Sequence, residues 1–152
     1  MISGSALDGS GNQSNGTVGN ENAKLGQVWW FALPIPVNIS KQDIEITAVS
    51  VMEPADGLKI LEYGAYNLED TEGLPLMALE GSKDAPKFDK LKNYATKPVV
   101  VRANEESDIF FTARMKIESP PKGTTRYCRF EYKQGKGLYT QTLDCELDLQ
   151  TN

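Results

Sequence analysis

Between residues 126 and 149 two runs of alternating apolar and polar positions flank the stretch Gln134-Gly135-Lys136-Gly137. Glycines tolerate the positive φ angles of a tight hairpin loop, so the pattern predicts two antiparallel strands joined there. Placing Cys128 opposite Cys145 pairs Phe130 with Leu143 and Tyr132 with Gln141, and leaves Lys136 and Gly137 at the turn. In that register Cys128, Phe130, Tyr132, Tyr139, Leu143, Cys145, Leu147 and Leu149 share one face, while Tyr127, Arg129, Glu131, Thr140, Thr142, Asp144, Glu146 and Asp148 share the other. Strand side chains alternate with period two, so a one-residue slip would bury the acids and expose the leucines.

The same periodicity predicts most of the other strands. Residues 27–33, Gln-Val-Trp-Trp-Phe-Ala-Leu, form a first strand limited by Pro34 and Pro36. Its neighbours point to opposite faces, so Trp29 and Trp30 cannot enter one core together. One is core; the other is covered by a loop or belongs to a partner- or carbohydrate-binding patch. Residues 43–47 alternate, and Val49 and Val51 continue after a phase shift that a bulge near Ala48 explains. A turn over 54–57 leads to a strand over 58–66, and the two read as a second hairpin. From 67 to 98 the pattern is poor, with a short strand around Leu74, Leu76, Met77 and Leu79 and a short helix over 84–94 carrying Phe88, Leu91 and Tyr94. Val99-Val100-Val101 is a short buried strand, and Asn104 to Ser107 a polar turn. Residues 108–118 alternate throughout, with Ile109, Phe111, Ala113, Met115 and Ile117 on one side, until Ser119-Pro120-Pro121 interrupts the run. Seven or eight strands with at most one short helix predict an all-β, antiparallel, immunoglobulin-like β-sandwich, with a closed barrel as the alternative.

Composition adds a boundary. Residues 1–24 are Gly, Ser, Asn, Asp and Thr with little that is apolar, which predicts a disordered tether ahead of one β-sandwich domain over 25–152. The sequons at Asn12, Asn15 and Asn38 match the glycosylation pattern, which an Asn/Ser/Thr-rich chain meets by chance. At 152 residues the chain can bury around two thirds of its unfolded surface in one core. The formal net charge of −5 argues against a nucleic-acid partner. No apolar run approaches the roughly 20 residues that span a bilayer.

Candidate chemistry is sparse. The chain has two cysteines and no histidine, so neither a Cys/His metal site nor a Ser/His or Cys/His nucleophile system is at hand. No glycine-rich phosphate loop is present, and the reading is of a non-enzyme without cofactors. Glu69, Asp70 and Glu72 lack the spacing of an EF-hand and read as a solvated turn. Cys128 and Cys145 read as a structural disulfide, worth about 3 kcal/mol for a loop of this length; the alternative is two reduced cysteines on neighbouring strands of an intracellular protein.

The order from Val99 onward is a short strand, a polar turn, a long alternating strand and a Tyr-rich hairpin with Lys136-Gly137-Leu138-Tyr139-Thr140-Gln141. It resembles uncharacterised extracytoplasmic immunoglobulin-like domains of Gram-positive bacteria, lipoproteins or membrane-anchored proteins, over residues 25–149. The resemblance implies an extracytoplasmic location, secreted or cell-surface, with membrane contact only through an N-terminal anchor outside this sequence. It carries over no catalytic residues. Two functions follow as expectations: an adhesion or interaction module for a protein partner at the cell envelope, or a receptor for a small molecule or glycan using Trp29, Trp30, Tyr63, Tyr66 and Tyr94.

Overall fold

The computed structural model describes residues 1–9 and 18–151. The sequons at Asn12 and Asn15 fall outside the described residues. Among the described residues, ten strands run in chain order: β1 (Ile2–Ser3), β2 (Val18–Ala23), β3 (Val28–Ala32), β4 (Ile44–Met52), β5 (Asp56–Asn67), β6 (Met77–Leu79), β7 (Val99–Val101), β8 (Ile109–Lys122), β9 (Thr125–Gln134) and β10 (Gly137–Thr151). They form two sheets. One has the order β1-β10-β9-β4-β7, with β2 also on β10; the other is β5-β8-β3-β6. The all-β sandwich expected from alternation is the architecture observed. Among the described residues no helix is long and apolar enough to cross a membrane.

The inward faces are those that alternation assigns. Trp29 and Phe31 of β3, Phe111 to Ile117 of β8 at every second position, and Cys128, Phe130, Tyr132, Leu143, Cys145, Leu147 and Leu149 of the last hairpin all join one core between the sheets. A second cluster lies on the outer face of the four-stranded sheet, where Trp30, Tyr66 and Phe110 meet Phe88 from the 68–98 segment. Each tryptophan is thus buried, one on each face of β3.

The final hairpin is present, with a different register. Tyr139 lies opposite Tyr132 and Leu143 opposite Cys128, two residues from the expected pairing, a shift that leaves both faces unchanged. The loop is Gly135-Lys136, and Gly135 takes φ 59°. This register places glycine at the positive-φ position, whereas a Lys136-Gly137 loop would have placed lysine there. The cysteines are then diagonal neighbours, and an irregularity between Asp144 and Leu147 accompanies a Cα–Cα distance of 5.8 Å in the Cys128–Cys145 disulfide. The bridge lies within one hairpin of one sheet.

Four other expectations change. The tether expected over 1–24 falls outside the described residues at 10–17; among the described ones, β1 and β2 run parallel to β10, and Ala6 and Leu7 are buried. A polar composition conceals this because a strand added at an edge needs only backbone partners and a few anchoring side chains. Strands β4 and β5 are not a hairpin, since β4 pairs with β7 and β9 and β5 with β8. Between them Glu53 takes φ 45° before Pro54, and Gly57 takes φ 97°, carrying the chain from one sheet to the other. The 84–94 helix is replaced by two 3₁₀ turns, Phe88–Lys90 and Tyr94–Thr96. Phe88 and Leu91 pack outside the sheet while Tyr94 packs against the main core, so the three share no helical face. Strand β8 continues through Pro120-Pro121, and these prolines sit where the ladder is interrupted between the Leu58–Ile117 and Asp56–Lys122 pairs, so their missing N–H groups cost no ladder bond.

The bulge at Ala48 is observed. The pairing of β4 with β9 shifts between Ile46 and Ala48, and the Thr47 hydroxyl donates to the Glu131 carbonyl at 3.2 Å. The remaining sequon, at Asn38, is structural. Asn38 is fully buried, its Nδ2 donating to the carbonyls of Gln42 and Val101 at 2.9 and 3.0 Å, which leaves no amide free to carry a glycan.

Candidate interaction edge and outer cleft

The sandwich has two lateral sides. On one, β10 is the last long strand of its sheet and its outer edge is occupied: β1 runs along Tyr139 and Thr140, and β2 along Leu147 to Thr151. Between them the Gln141 side chain clasps the backbone of Leu7, accepting from its N–H at 3.1 Å and donating to its carbonyl at 2.6 Å. The Tyr132 hydroxyl donates to Gln141 Oε1 at 2.9 Å and accepts from Ala6 N–H at 3.1 Å. A Cβ on Gly4 would collide with that hydroxyl, so glycine is required for the approach.

The other side is open. Strand β7 pairs with β4 only at Ile44, Glu45 and Ile46. It is preceded by Pro98, which has no N–H to extend the ladder. Among the described residues, 47–52 of β4 therefore have β9 on one flank and no strand on the other. Opposite them stands β5, the end strand of the second sheet. Two contacts show which way the backbone points. Val51 N–H turns away from β9 and donates to the Tyr63 hydroxyl at 2.8 Å. Ala65 N–H donates to Asn93 Oδ1 at 3.0 Å, an oxygen that also accepts from Ala95 N–H at 2.9 Å and so caps the second 3₁₀ turn.

That 3₁₀ turn sits in the mouth between the sheets, with a groove on each side. One, of about 250 Å³, is bounded by Ile46 to Val49 of β4, Tyr63 and Gly64 of β5, Ala95, Lys97 and Phe111. The other, of about 340 Å³, is bounded by Lys92, Tyr94, Thr96 to Val100 and Ile109. Lys92 Nζ lies 4.7 Å from the Tyr94 ring centroid, and Val100 is 56% exposed. The charged groups bounding these two grooves are lysines, Lys92 and Lys97, in a chain of net charge −5.

A separate cleft opens on the outer face of the four-stranded sheet, about 420 Å³ in volume and bounded by Trp30, Glu62, Tyr66, Glu80, Phe88, Asp89, Leu91, Asn93 and Arg114. Its aromatic residues are packed on each other: Phe88 stacks on Trp30 with centroids 4.2 Å apart, and Tyr66 meets Phe88 at 4.8 Å. Arg114 lies 5.8 Å over the Trp30 ring and binds Glu80 through Nε at 2.7 Å and Nη2 at 3.0 Å, with Glu62 at 3.3 Å from Nη1. The hydrogen bonds from Arg114 hold the Glu80 carboxyl below its ordinary pKa, and burial, followed by the negative charge of Glu62, raises that of Tyr66. Two of the three carboxylates that border the cleft, Glu62 and Glu80, are thereby ion-paired to one guanidinium, and Asp89 is the third.

The five aromatic residues singled out in the sequence do not form one site. Trp29 is in the main core, Trp30 and Tyr66 share the outer cleft, and Tyr63 and Tyr94 stand half-buried on opposite sides of the second 3₁₀ turn. Sequence reasoning misses Lys97, Ala95 and the outward flank of β4, although the bulge at Ala48 marks the place. It also misses Arg114 of β8, Glu62 of β5 and Glu80 in the turn after β6. Glu69, Asp70 and Glu72 are exposed, and among the described residues no three His, Cys, Asp or Glu side chains gather as a metal site. The chain matches no protein-family model, no curated protein and no solved structure.

Proposed function

We propose that this chain is a non-catalytic interaction module of an extracytoplasmic compartment, holding a protein partner along the open lateral side between β4 and β5. The observation that carries this reading is the flank of residues 47–52, whose backbone turns outward beside a groove that no strand fills. An exposed row of backbone donors and acceptors is a template for association, which proteins normally cover or blunt. The Cys128–Cys145 disulfide supports the location, because such bridges persist in oxidising compartments. The ion pair of Glu80 with Arg114 supports a non-catalytic role, since a carboxylate held ionised by a guanidinium is a poor proton donor.

Site-specific photocrosslinking in the source cell tests the reading. A photoreactive residue at exposed Ala95 is expected to yield a discrete protein adduct that the same probe at exposed Leu138, by the hairpin loop, does not. Equal adducts at both positions, or none at Ala95, would overturn it.

A second reading, a receptor for a small molecule or glycan, draws on the outer cleft, where the Tyr66 hydroxyl and the Asn93 amide border the same 420 Å³ as three carboxylates. It expects glycan-array binding that Glu62→Ala together with Asn93→Ala abolishes; an array without signal removes it.

A further inference from the structure

We propose that the open flank of β4 binds an extended acidic peptide as an added β-strand, continuing the line on which β7 already pairs; this rests on the module reading above and names its mode of recognition. Strand β7 shows that β4 accepts a neighbour on this side, in antiparallel register at Ile44 to Ile46. The neighbour stops at Pro98, yet the strand it pairs with continues to Met52. Beyond the bulge, Val51 N–H points into the gap, and side chains alternate with period two, so Val49 presents its N–H and carbonyl on the same flank. Backbone groups in such a row are satisfied best by another extended backbone, the basis of recognition by strand addition.

The walls fit a main chain better than a compact ligand. Ala48, Gly64 and Ala95 border the groove with small or absent side chains, so an incoming backbone can approach closely. The Tyr63 hydroxyl bonded to Val51 N–H marks the far end of the slot at 2.8 Å. Charge selects the peptide. Lys97 borders both grooves and Lys92 the second, and no carboxylate borders either. A carboxylate beside the added strand would meet Lys97, and one further along the peptide, past the 3₁₀ turn, would meet Lys92, while a basic peptide would meet them unfavourably.

The experiment uses the whole chain. Random twelve-residue peptides displayed on phage are panned against it, and the enriched sequence is synthesised unmodified and N-methylated at alternate residues. Enriched peptides are expected to carry Asp or Glu beside β-branched or aromatic residues. N-methylation on one alternate set should weaken binding at least about tenfold, and on the other set little, because only one set faces β4. Amide resonances of residues 48–51 should shift on binding. Lys97→Glu, at an exposed position, should weaken binding about tenfold with its thermal midpoint unchanged, and Ala95→Trp should block the groove sterically. Strand addition is overturned by a failure to enrich any peptide, by enrichment of basic ones, or by equal tolerance of N-methylation on both sets. A concentration-dependent dimer broken by Lys97→Glu would overturn it in favour of a second copy of the chain. If Ala95 crosslinks to a partner while N-methylated peptides bind undiminished, the module reading stands and the strand mode falls. An Ala95 probe without adduct removes the module reading itself.

Discussion

The two lateral sides of this sandwich meet the same physical problem and answer it differently. Along β10 the free edge is covered by β1 and β2, fastened by Gln141, Tyr132 and the buried Leu7. Along β4 only three residues are covered, and what stands beside the rest is a 3₁₀ turn, one tyrosine hydroxyl and Lys97. Edge strands invite association, and the usual protections are a covering segment or charged residues near the edge. One side has the first kind of protection and the other has only traces of the second. On the proposed reading, the difference separates an edge that adds stability from one that receives a partner.

Changes on the sealed side should cost the most. Leu7→Ala removes a fully buried side chain and is expected to destabilise the fold by about 2–5 kcal/mol; in urea unfolding, a loss below about 1 kcal/mol would mean that the N-terminal segment contributes little. Replacing Cys128 and Cys145 by alanine should cost about 3 kcal/mol, measured the same way, and leave the hairpin register visible in amide cross-strand contacts. Gln141→Ala leaves the Leu7 N–H and carbonyl without their partner and should cost about 1–3 kcal/mol. The same fastening predicts a pH dependence. Burial raises the pKa of Tyr132 above its unfolded value, so its contribution is intact below about pH 10 and declines as pH rises through the folded value. Thermal midpoints at pH 8 and pH 11 would show the fall, and Tyr132→Phe should reduce it by the Tyr132 share, Tyr66 supplying another.

On the open side the expected effects on stability shrink. Tyr63→Phe removes one hydrogen bond to Val51 N–H and should cost at most about 1.5 kcal/mol. Lys97→Glu should stay within about 0.5 kcal/mol, as an exposed substitution does, while changing what the groove binds. If instead Lys97→Glu destabilised the fold as much as Gln141→Ala, the contrast between a structural and an accessible edge would disappear.

How far these features are legible in the chain depends on the range of the interaction that makes them. The faces of β8 and of the last hairpin and the bulge at Ala48 follow from alternation, because each side chain's direction is set by its own strand; the three valines at 99–101 do form a strand, but Val100 is exposed and not buried. The disulfide is legible too, since both cysteines lie on one face whichever even register is adopted. The register itself is not: it depends on which loop residue takes positive φ, and Gly135 takes it. Two of the expected site residues, Trp30 and Tyr66, meet at the outer cleft, but no local signal brings Phe88 over Trp30 or gathers Glu62, Glu80 and Arg114 from two strands and a turn.

Alternation and turn chemistry along the chain are enough for an all-β sandwich with a cross-linked final hairpin, because strand faces and tight turns are local properties of the backbone. The partners of each edge are not local. Strands β4 and β5 are consecutive yet lie in different sheets, and residues 1–9 and 18–23, polar enough to read as a tether, close the far side of the molecule. Which edge is sealed and which stays open was decided only in the tertiary structure, because edge pairing is made by backbone hydrogen bonds, which every residue but proline can offer, and these leave almost no mark on the sequence.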